Sequence, residues 1–102
     1  MEIHKAAGII IKGRKLLVER SKGKEYFIAP GGSIDPGETS GQALIRELWE
    51  EFQITVEESS LTDFGVYKAP AAGQEDNTVV MEVFLVNKWE GSITASSEVE
   101  EI

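Results

Sequence analysis

Apolar and polar positions divide the chain into short extended stretches and one amphipathic segment. Runs rich in β-branched and aromatic residues, bounded by glycine, proline or charged residues, are typical of strands. Gly13, within the polar Lys12 to Arg14, predicts the turn of a hairpin between the first two runs, and Gly91 predicts a later turn. The predicted strands lie at 6–11, 15–20, 26–28, 61–68, 78–86 and 92–95.

The amphipathic segment begins after Thr39 and is the one firm helix that the pattern predicts. Thr39 and Gln42 have the spacing of a capping box, with Thr39 as the N-cap. At the helical period of 3.6 residues, apolar positions fall on one broad face, which we expect to lie in the core. The residues of this face are Leu44, Ile45, Leu48, Trp49 and Phe52.

The opposite face of this helix carries Glu47, Glu50 and Glu51. Like charges at this spacing repel by a few tenths of a kcal/mol each, so the cluster needs something to offset the repulsion. Three carboxylates on one turn, beside a glycine-rich loop, provide the oxygen donors that a hard divalent cation prefers. Backbone carbonyls around Gly31 and Gly32 can add further oxygens. The alternative interpretation is a solvated acidic face.

Composition narrows the possible functions. The chain has 102 residues, of which 41% are hydrophobic and 27% charged, as expected for one globular domain spanning 1–102. There is no cysteine and His4 is the single histidine, so any metal site must use oxygen ligands, which favours magnesium, manganese or calcium. The net charge of -8 disfavours a binder of nucleic acid polymers. No apolar run reaches a membrane span or a signal-peptide core, so a cytoplasmic location is expected.

The spacing around the acidic cluster resembles the Nudix box. Gly32 is followed after five residues by Glu38 and after seven more by the run from Arg46 to Ile54. These positions match the signature G-x5-E-x7-R-E-U-x-E-E-x-G-U, where U is a bulky aliphatic residue, except that Gln53 replaces the second glycine. The resemblance implies the Nudix fold of the α/β class, an α/β/α sandwich around a mixed β-sheet.

The resemblance also implies a metal site. Glu47, Glu50 and Glu51 would be magnesium ligands, with manganese as a possible substitute, and Gly32 would contribute its backbone carbonyl. Glu47 would also help to orient or deprotonate water. A further carboxylate often comes from outside the box in this family, and we choose Glu98 for this role.

Three further residues receive roles from the same resemblance. Arg46 would form an ion pair that holds the glutamates in place, and Glu38 would be a supporting carboxylate. Arg20, on the strand that leads into the box, would contact a substrate phosphate. A polar loop is predicted from Pro70 to Asn77, long enough to border a site.

The implied reaction is attack of water on a phosphorus atom of a nucleoside diphosphate linked to another group. We favour a nucleoside triphosphate as the small-molecule substrate. The alternative is a Nudix-like domain that binds a nucleotide for regulation without hydrolysing it. Such domains usually lose carboxylates of the box, whereas this chain keeps three. A calcium-binding or interaction module is disfavoured because no Asp-rich loop resembles an EF-hand.

Two features depart from the family pattern. A glycine at position 53 would end the helix in a left-handed conformation, which costs Gln53 on the order of 1 kcal/mol unless the helix continues past it. The chain stops at Ile102, where relatives usually continue with a strand and a second helix. We therefore expect either a C-terminally truncated domain or a homodimer that covers the open face of the sheet.

Overall fold

The computed structural model describes residues 1–12, 15–20, 27–71, 74–93 and 99–101. Within this part of the chain there are eight strands, one α-helix and one 3₁₀ turn. No helix among these residues is long and apolar enough to cross a membrane. The elements are β1 (Glu2–Ile9), β2 (Ile11–Lys12), β3 (Lys15–Arg20), β4 (Phe27–Ile28), β5 (Gly31–Ser33), α1 (Ser40–Phe52), the 3₁₀ turn (Glu58–Ser60), β6 (Leu61–Ala71), β7 (Gln74–Val86) and β8 (Val99–Glu101).

Four strands form a mixed sheet in the order β5-β1-β7-β6. Strand β1 runs parallel to β7 and antiparallel to β5, and β6 runs antiparallel to β7. Ala6 of β1 pairs with Gly32 of β5 on one side and with Glu82 of β7 on the other. The mixed sheet that the resemblance implies is confirmed, and it places the start of the box on the outer strand β5.

A second group of strands is built around β3, which pairs antiparallel with β2, β4 and β8. Ile11 pairs with Leu16, which confirms the predicted hairpin between β2 and β3. The prediction of a strand at 92–95 is wrong at Ser92 and Ile93, which are not in a strand. Residues 94 and 95, like the first residue of the strand predicted at 26–28, lie outside the described part of the chain.

The loop predicted between Pro70 and Asn77 is replaced by the end of a long hairpin. Strand β6 continues through Ala71 and β7 already begins at Gln74. Pro70 pairs with Thr78, and a register shift follows it. Strand β6 is the outer strand of its sheet as described, and an outer strand tolerates a proline that has no N–H to donate.

The core lies between α1 and the mixed sheet. Leu44, Leu48 and Phe52 are buried as predicted, together with Ala43. Ile45 is half-buried. Trp49 was expected in the core, but this prediction is wrong because its side chain is 56% exposed. It lies one position past Leu48, at the edge of the apolar face, whereas Leu44 and Leu48 at the centre of that face are fully buried.

The side of the sheet that faces away from α1 also carries apolar residues. Gly8 faces α1, because a Cβ at Gly8 would lie 3.3 Å from the Leu44 side chain. Alternate residues of a strand point to opposite faces. The residues paired one position out of phase therefore form the second face, which includes Lys5 and the buried Ala7. Its half-buried apolar residues are Ile3, Ile9, Val79, Met81, Val83 and Leu85.

Candidate active site

The residue directly before the box is a glycine that the sheet itself requires. Gly31 has a φ of +146°, a conformation that side chains disfavour. A Cβ at this position would collide with the Ala6 carbonyl oxygen and lie 2.9 Å from the Ala7 Cα. Gly31 therefore allows β5 to approach β1 closely, which fixes the position of the next residue.

That next residue, Gly32, lies against a carboxylate. A Cβ at Gly32 would be 2.5 Å from Oε1 and 2.6 Å from Cδ of Glu47. The obstacle is the end of a side chain rather than backbone, so the absence of a side chain at Gly32 makes room for the Glu47 carboxylate. The Glu47 side chain is only 18% exposed in this position.

A tight turn then leads from β5 towards the helix. The Glu38 N–H donates to the Asp35 carbonyl at 3.1 Å, with Pro36 and Gly37 between them. Gly37 has a φ of +86°, and proline followed by such a glycine is typical of a type II turn. The Asp35 N–H also donates to Glu38 Oε1 at 2.9 Å, so the turn holds the Glu38 carboxylate.

The predicted capping box starts the helix immediately afterwards. The Gln42 N–H donates to Thr39 Oγ1 at 3.1 Å, and the Thr39 N–H donates to Gln42 Oε1 at 2.9 Å. Both bonds satisfy N–H groups that a helix start leaves unpaired. The capping box thereby fixes the residue at which α1 begins.

Arg46 connects three carboxylates of the box. Its Nε and Nη2 donate to the two oxygens of Glu38 at 2.8 and 3.0 Å. Its Nη1 donates to Glu47 Oε1 at 3.1 Å and to Glu50 Oε1 at 3.3 Å. The ion pair expected for Arg46 and the support expected from Glu38 are therefore present as contacts.

Two partners of Arg46 were not foreseen from the sequence. Nη2 also donates to the Ser33 carbonyl at 3.1 Å and lies 3.3 Å from Asp35 Oδ2. Ser33 contributes only a backbone atom, which no residue pattern reveals. Asp35 carried a usable signal, because an aspartate at the first position of a Pro-Gly turn is typical and lies close in sequence to Glu38.

Arg46 and the carboxylates that it contacts stabilise one another's charged forms. The hydrogen bond from Arg46, followed by the one from the Asp35 N–H, lowers the pKa of Glu38 below its ordinary value. The hydrogen bond to Glu38 is the main cause that raises the pKa of Arg46, and Glu50 and Glu47 contribute. At neutral pH the Glu38 carboxylate is therefore ionised and Arg46 is a permanent cation.

The donor set suits a hard divalent cation, but the carboxylates are not gathered around one point. Glu50 is 53% exposed, and Oε1 of the half-buried Glu51 is shielded from solvent. Among the described residues, no group of three or more acidic or histidine side chains has the arrangement of a metal site. Glu47 and Glu50 are instead turned towards Arg46. The residues fit a cation by chemistry, since all donors are oxygens, and the exposed Glu50 can turn without repacking the core.

Two predicted site residues cannot be placed beside this cluster. Glu98 lies outside the described residues. The main chain of Arg20 is in β3, where it pairs with Phe27, but its side chain is not among those described. The roles of both residues stay predictions.

Helix α1 ends at Gln53 and does not continue past it. This residue has φ 56° and ψ 35°, so the helix ends here in the left-handed conformation that a glycine would adopt. Its N–H donates to the Trp49 carbonyl at 2.9 Å. Its side-chain Nε2 donates to the Glu50 carbonyl at 2.9 Å.

A cavity of about 410 Å³ lies beyond this end of the helix. None of the box glutamates lines it, so it is separate from the acidic cluster. Asn87 supports one wall by donating from Nδ2 to the Ser60 carbonyl at 3.1 Å and to Thr62 Oγ1 at 2.8 Å. The cavity is lined by Thr55, Glu57, Ser60, Asn87, Lys88, Trp89 and Glu90.

A mixed sheet that carries a glycine-rich turn followed by an acidic helix is the arrangement that the Nudix resemblance implies. The chain belongs to the NUDIX domain family, whose model matches residues 2–102. This membership places it among the pyrophosphohydrolases. Enzymes of the family generally use divalent metal ions.

Individual relatives agree with this assignment. The chain is 32% identical over 98 residues to an 8-oxo-dGTP diphosphatase of Proteus vulgaris, covering 91% of this chain and 83% of the relative. It is 32% identical over 97 residues to an ADP-ribose pyrophosphatase of Methanocaldococcus jannaschii, covering 92% of this chain and 56% of the relative. The fold is similar to a MutT NUDIX hydrolase from Burkholderia pseudomallei, with a TM-score of 0.76, 22% identity and coverage of 98% and 79%.

Proposed function

We propose that this chain is a magnesium-dependent hydrolase that cleaves the diphosphate linkage of a nucleoside triphosphate. The observation that carries the proposal is the Arg46 network, in which one guanidinium contacts Glu38, Glu47 and Glu50 and the Glu47 carboxylate lies against Gly32. A structural helix has no need to collect its like charges on one turn. Relatives named as diphosphatase and pyrophosphatase support the same reaction class.

The proposed metal ligands are Glu47, Glu50 and Glu51, with the Gly32 carbonyl and Glu98 as further donors. Magnesium is the proposed ion, and manganese a substitute, because the donors are all oxygens. A bound divalent cation would neutralise phosphate charge and lower the pKa of a bound water. Since the chain carries a net charge of -8, a polyanionic substrate needs such neutralisation before it can approach.

The chain's own residues then position the reacting groups. Arg46 keeps the Glu47 carboxylate against Gly32, and the ionised Glu38 fixes Arg46 through two hydrogen bonds. We assign Glu47 the acceptance of a proton from the attacking water, because its carboxylate is shielded from solvent and lies against Gly32. Arg20 is assigned a contact with a substrate phosphate.

The test is release of phosphate or pyrophosphate from a nucleotide panel, with magnesium, with manganese and without either. The panel contains dGTP, 8-oxo-dGTP, ADP-ribose, a nucleotide sugar and a dinucleoside polyphosphate. Turnover of a nucleoside triphosphate that requires the metal is expected. Nucleotide binding without turnover of any member would instead establish a regulatory binding domain.

Two variants and one matched control sharpen this test. Glu50→Gln and Glu51→Gln each remove one proposed ligand and are expected to lower turnover more than about 100-fold, since outer partners of metal ligands already account for 10- to 100-fold. Glu58→Gln removes the same charge from the exposed 3₁₀ turn and should leave turnover unchanged. Unchanged turnover in Glu50→Gln and Glu51→Gln would refute the assignment.

A further inference from the structure

Gln53 occupies the position at which the Nudix pattern has glycine. Among the described residues it is the one non-glycine residue with a positive φ. A Cβ in this conformation crowds the neighbouring backbone, which is why helices commonly end on glycine. The helix therefore ends in the left-handed conformation on a residue that adopts it less readily than glycine does.

The Gln53 side chain returns to the helix that it ends. Its Nε2 donates to the Glu50 carbonyl at 2.9 Å and approaches the Trp49 carbonyl at 3.4 Å. The last carbonyls of a helix have no N–H from a following turn. Because α1 ends here, the Gln53 carboxamide supplies the donor that the Glu50 carbonyl would otherwise lack from its own helix.

The residues after Gln53 anchor the other side of the turn. Ile54 is fully buried, and Thr55 exchanges two backbone hydrogen bonds of 2.9 Å with Glu90. A Cβ at Gly91 would lie 3.2 Å from the Gln53 carbonyl oxygen, so the two segments are in close contact. The chain is thus held beyond the turn by packing, and before the turn by the Gln53 side chain.

This last turn of α1 carries Glu50 and Glu51, two of the proposed magnesium ligands. We infer that Gln53 is a positioning residue, whose carboxamide orders this turn and so holds the backbone of both glutamates for cation binding. The side chain at position 53 must then either be absent, as in glycine, or donate a hydrogen bond to the helix end. The inference rests on the proposed function through the identity of the ligands.

Two variants separate the hydrogen bond from the backbone conformation. Gln53→Met keeps the length and the left-handed crowding but removes the donor, and we expect its Tm without metal to fall by about 5 °C. Its affinity for magnesium alone, measured by calorimetry well below the Tm, should weaken roughly threefold to tenfold. Gln53→Gly removes both the donor and the crowding, and its magnesium affinity should stay within about twofold of the parent.

Thr39→Ala is the matched control, because it removes a cap from the opposite end of the same helix. It should lower the Tm by a similar amount, about 5 °C, while leaving magnesium affinity within about twofold. A Gln53→Met protein that binds magnesium as tightly as the parent would overturn the inference. Equal weakening in Thr39→Ala would also overturn it, because the effect would then follow helix stability in general.

Failure of the proposed function gives a different result. If the parent protein binds no magnesium, the ligand assignment fails. The Tm difference between Gln53→Met and the parent, measured without metal, still tests the cap by itself. Equal Tm values for Gln53→Met and the parent would refute the cap.

Discussion

Helix α1 presents two faces that are built from opposite chemistry. On one face Leu44, Leu48 and Phe52 are buried against the sheet. On the other, Glu47 and Glu50 are held beside one guanidinium at its surface. The buried face fixes where the helix lies whether or not a ligand is bound. The acidic face can therefore carry repelling charges that would be unfavourable in an isolated helix.

Arg46 alone cannot neutralise the acidic face of the helix. One guanidinium contacts the carboxylates of Glu38, Glu47 and Glu50. A single positive charge cannot balance three carboxylates, so the acidic face keeps an excess of negative charge. That excess is what a divalent cation would offset.

The largest expected effect lies on the buried face. Leu48→Ala should lower the free energy of unfolding by about 2–5 kcal/mol, because it leaves a cavity beneath the helix. Trp49→Ala, one residue further along, should change it by less than about 1 kcal/mol because that side chain is more than half exposed. Urea unfolding of both variants measures the difference. Equal losses would mean that Trp49 packs in the core after all.

Substitutions among the charged residues of the acidic face should change turnover rather than the free energy of unfolding. Arg46→Lys keeps the charge but loses the two-point contact with Glu38, and we expect turnover to fall roughly 10- to 100-fold. Steady-state kinetics at saturating magnesium measures this loss. Lys88→Met, which removes an exposed cation elsewhere, serves as the control and should retain turnover. Full activity in Arg46→Lys would show that the network is dispensable.

Gly31 and Gly32 test the same separation between residues that affect stability and residues that affect activity, with smaller expected effects. Gly32→Ala pushes the Glu47 carboxylate aside and should lower turnover about tenfold, with little change in Tm. Gly31→Ala meets backbone atoms of β1 and should instead lower the free energy of unfolding by more than about 1 kcal/mol. Thermal unfolding and kinetics on both variants distinguish them. If Gly32→Ala lost stability but kept its turnover, Gly32 would serve the fold rather than the position of the Glu47 carboxylate.

The smallest effect concerns acid stability. The pKa of Glu38 is lower in the folded chain than in the unfolded chain, chiefly because Arg46 donates to it. Its contribution to stability is therefore fully present above the ordinary glutamate pKa of about 4.3 and is lost as the pH falls through the lower folded value. Glu38→Gln should reduce the slope of unfolding free energy against pH in that acidic range. An unchanged slope would mean that other carboxylates account for it.

Local features of the site could be predicted from the sequence because their partners are close in the chain. Thr39 and Gln42 of the capping box are three positions apart, and Glu47, Glu50 and Glu51 lie on one helical turn. Both groupings follow from helix geometry and the spacing of side chains. The Nudix resemblance added the ion pair of Arg46, which contacts Glu38 in the structure.

Features decided by distant segments could not be predicted in the same way. The parallel pairing of β1 with β7 joins residues more than seventy positions apart. The exposure of Trp49 depends on which part of the apolar face meets the sheet. The polar composition of the segment from Pro70 to Asn77 predicts a loop, yet Pro70 pairs with Thr78 in an outer strand, which accepts a proline.

The measurement that tests the magnesium site most directly is thermal unfolding with and without magnesium, for the parent chain and for Glu50→Gln. Magnesium at 100 times its Kd should stabilise the parent by about 2.7 kcal/mol and raise its Tm by several degrees. Glu50→Gln should lose most of this shift, while its Tm without metal equals or exceeds that of the parent because one repelling charge is gone. An equal magnesium shift in both proteins, or none in the parent, would contradict the assignment of the acidic face as a cation site.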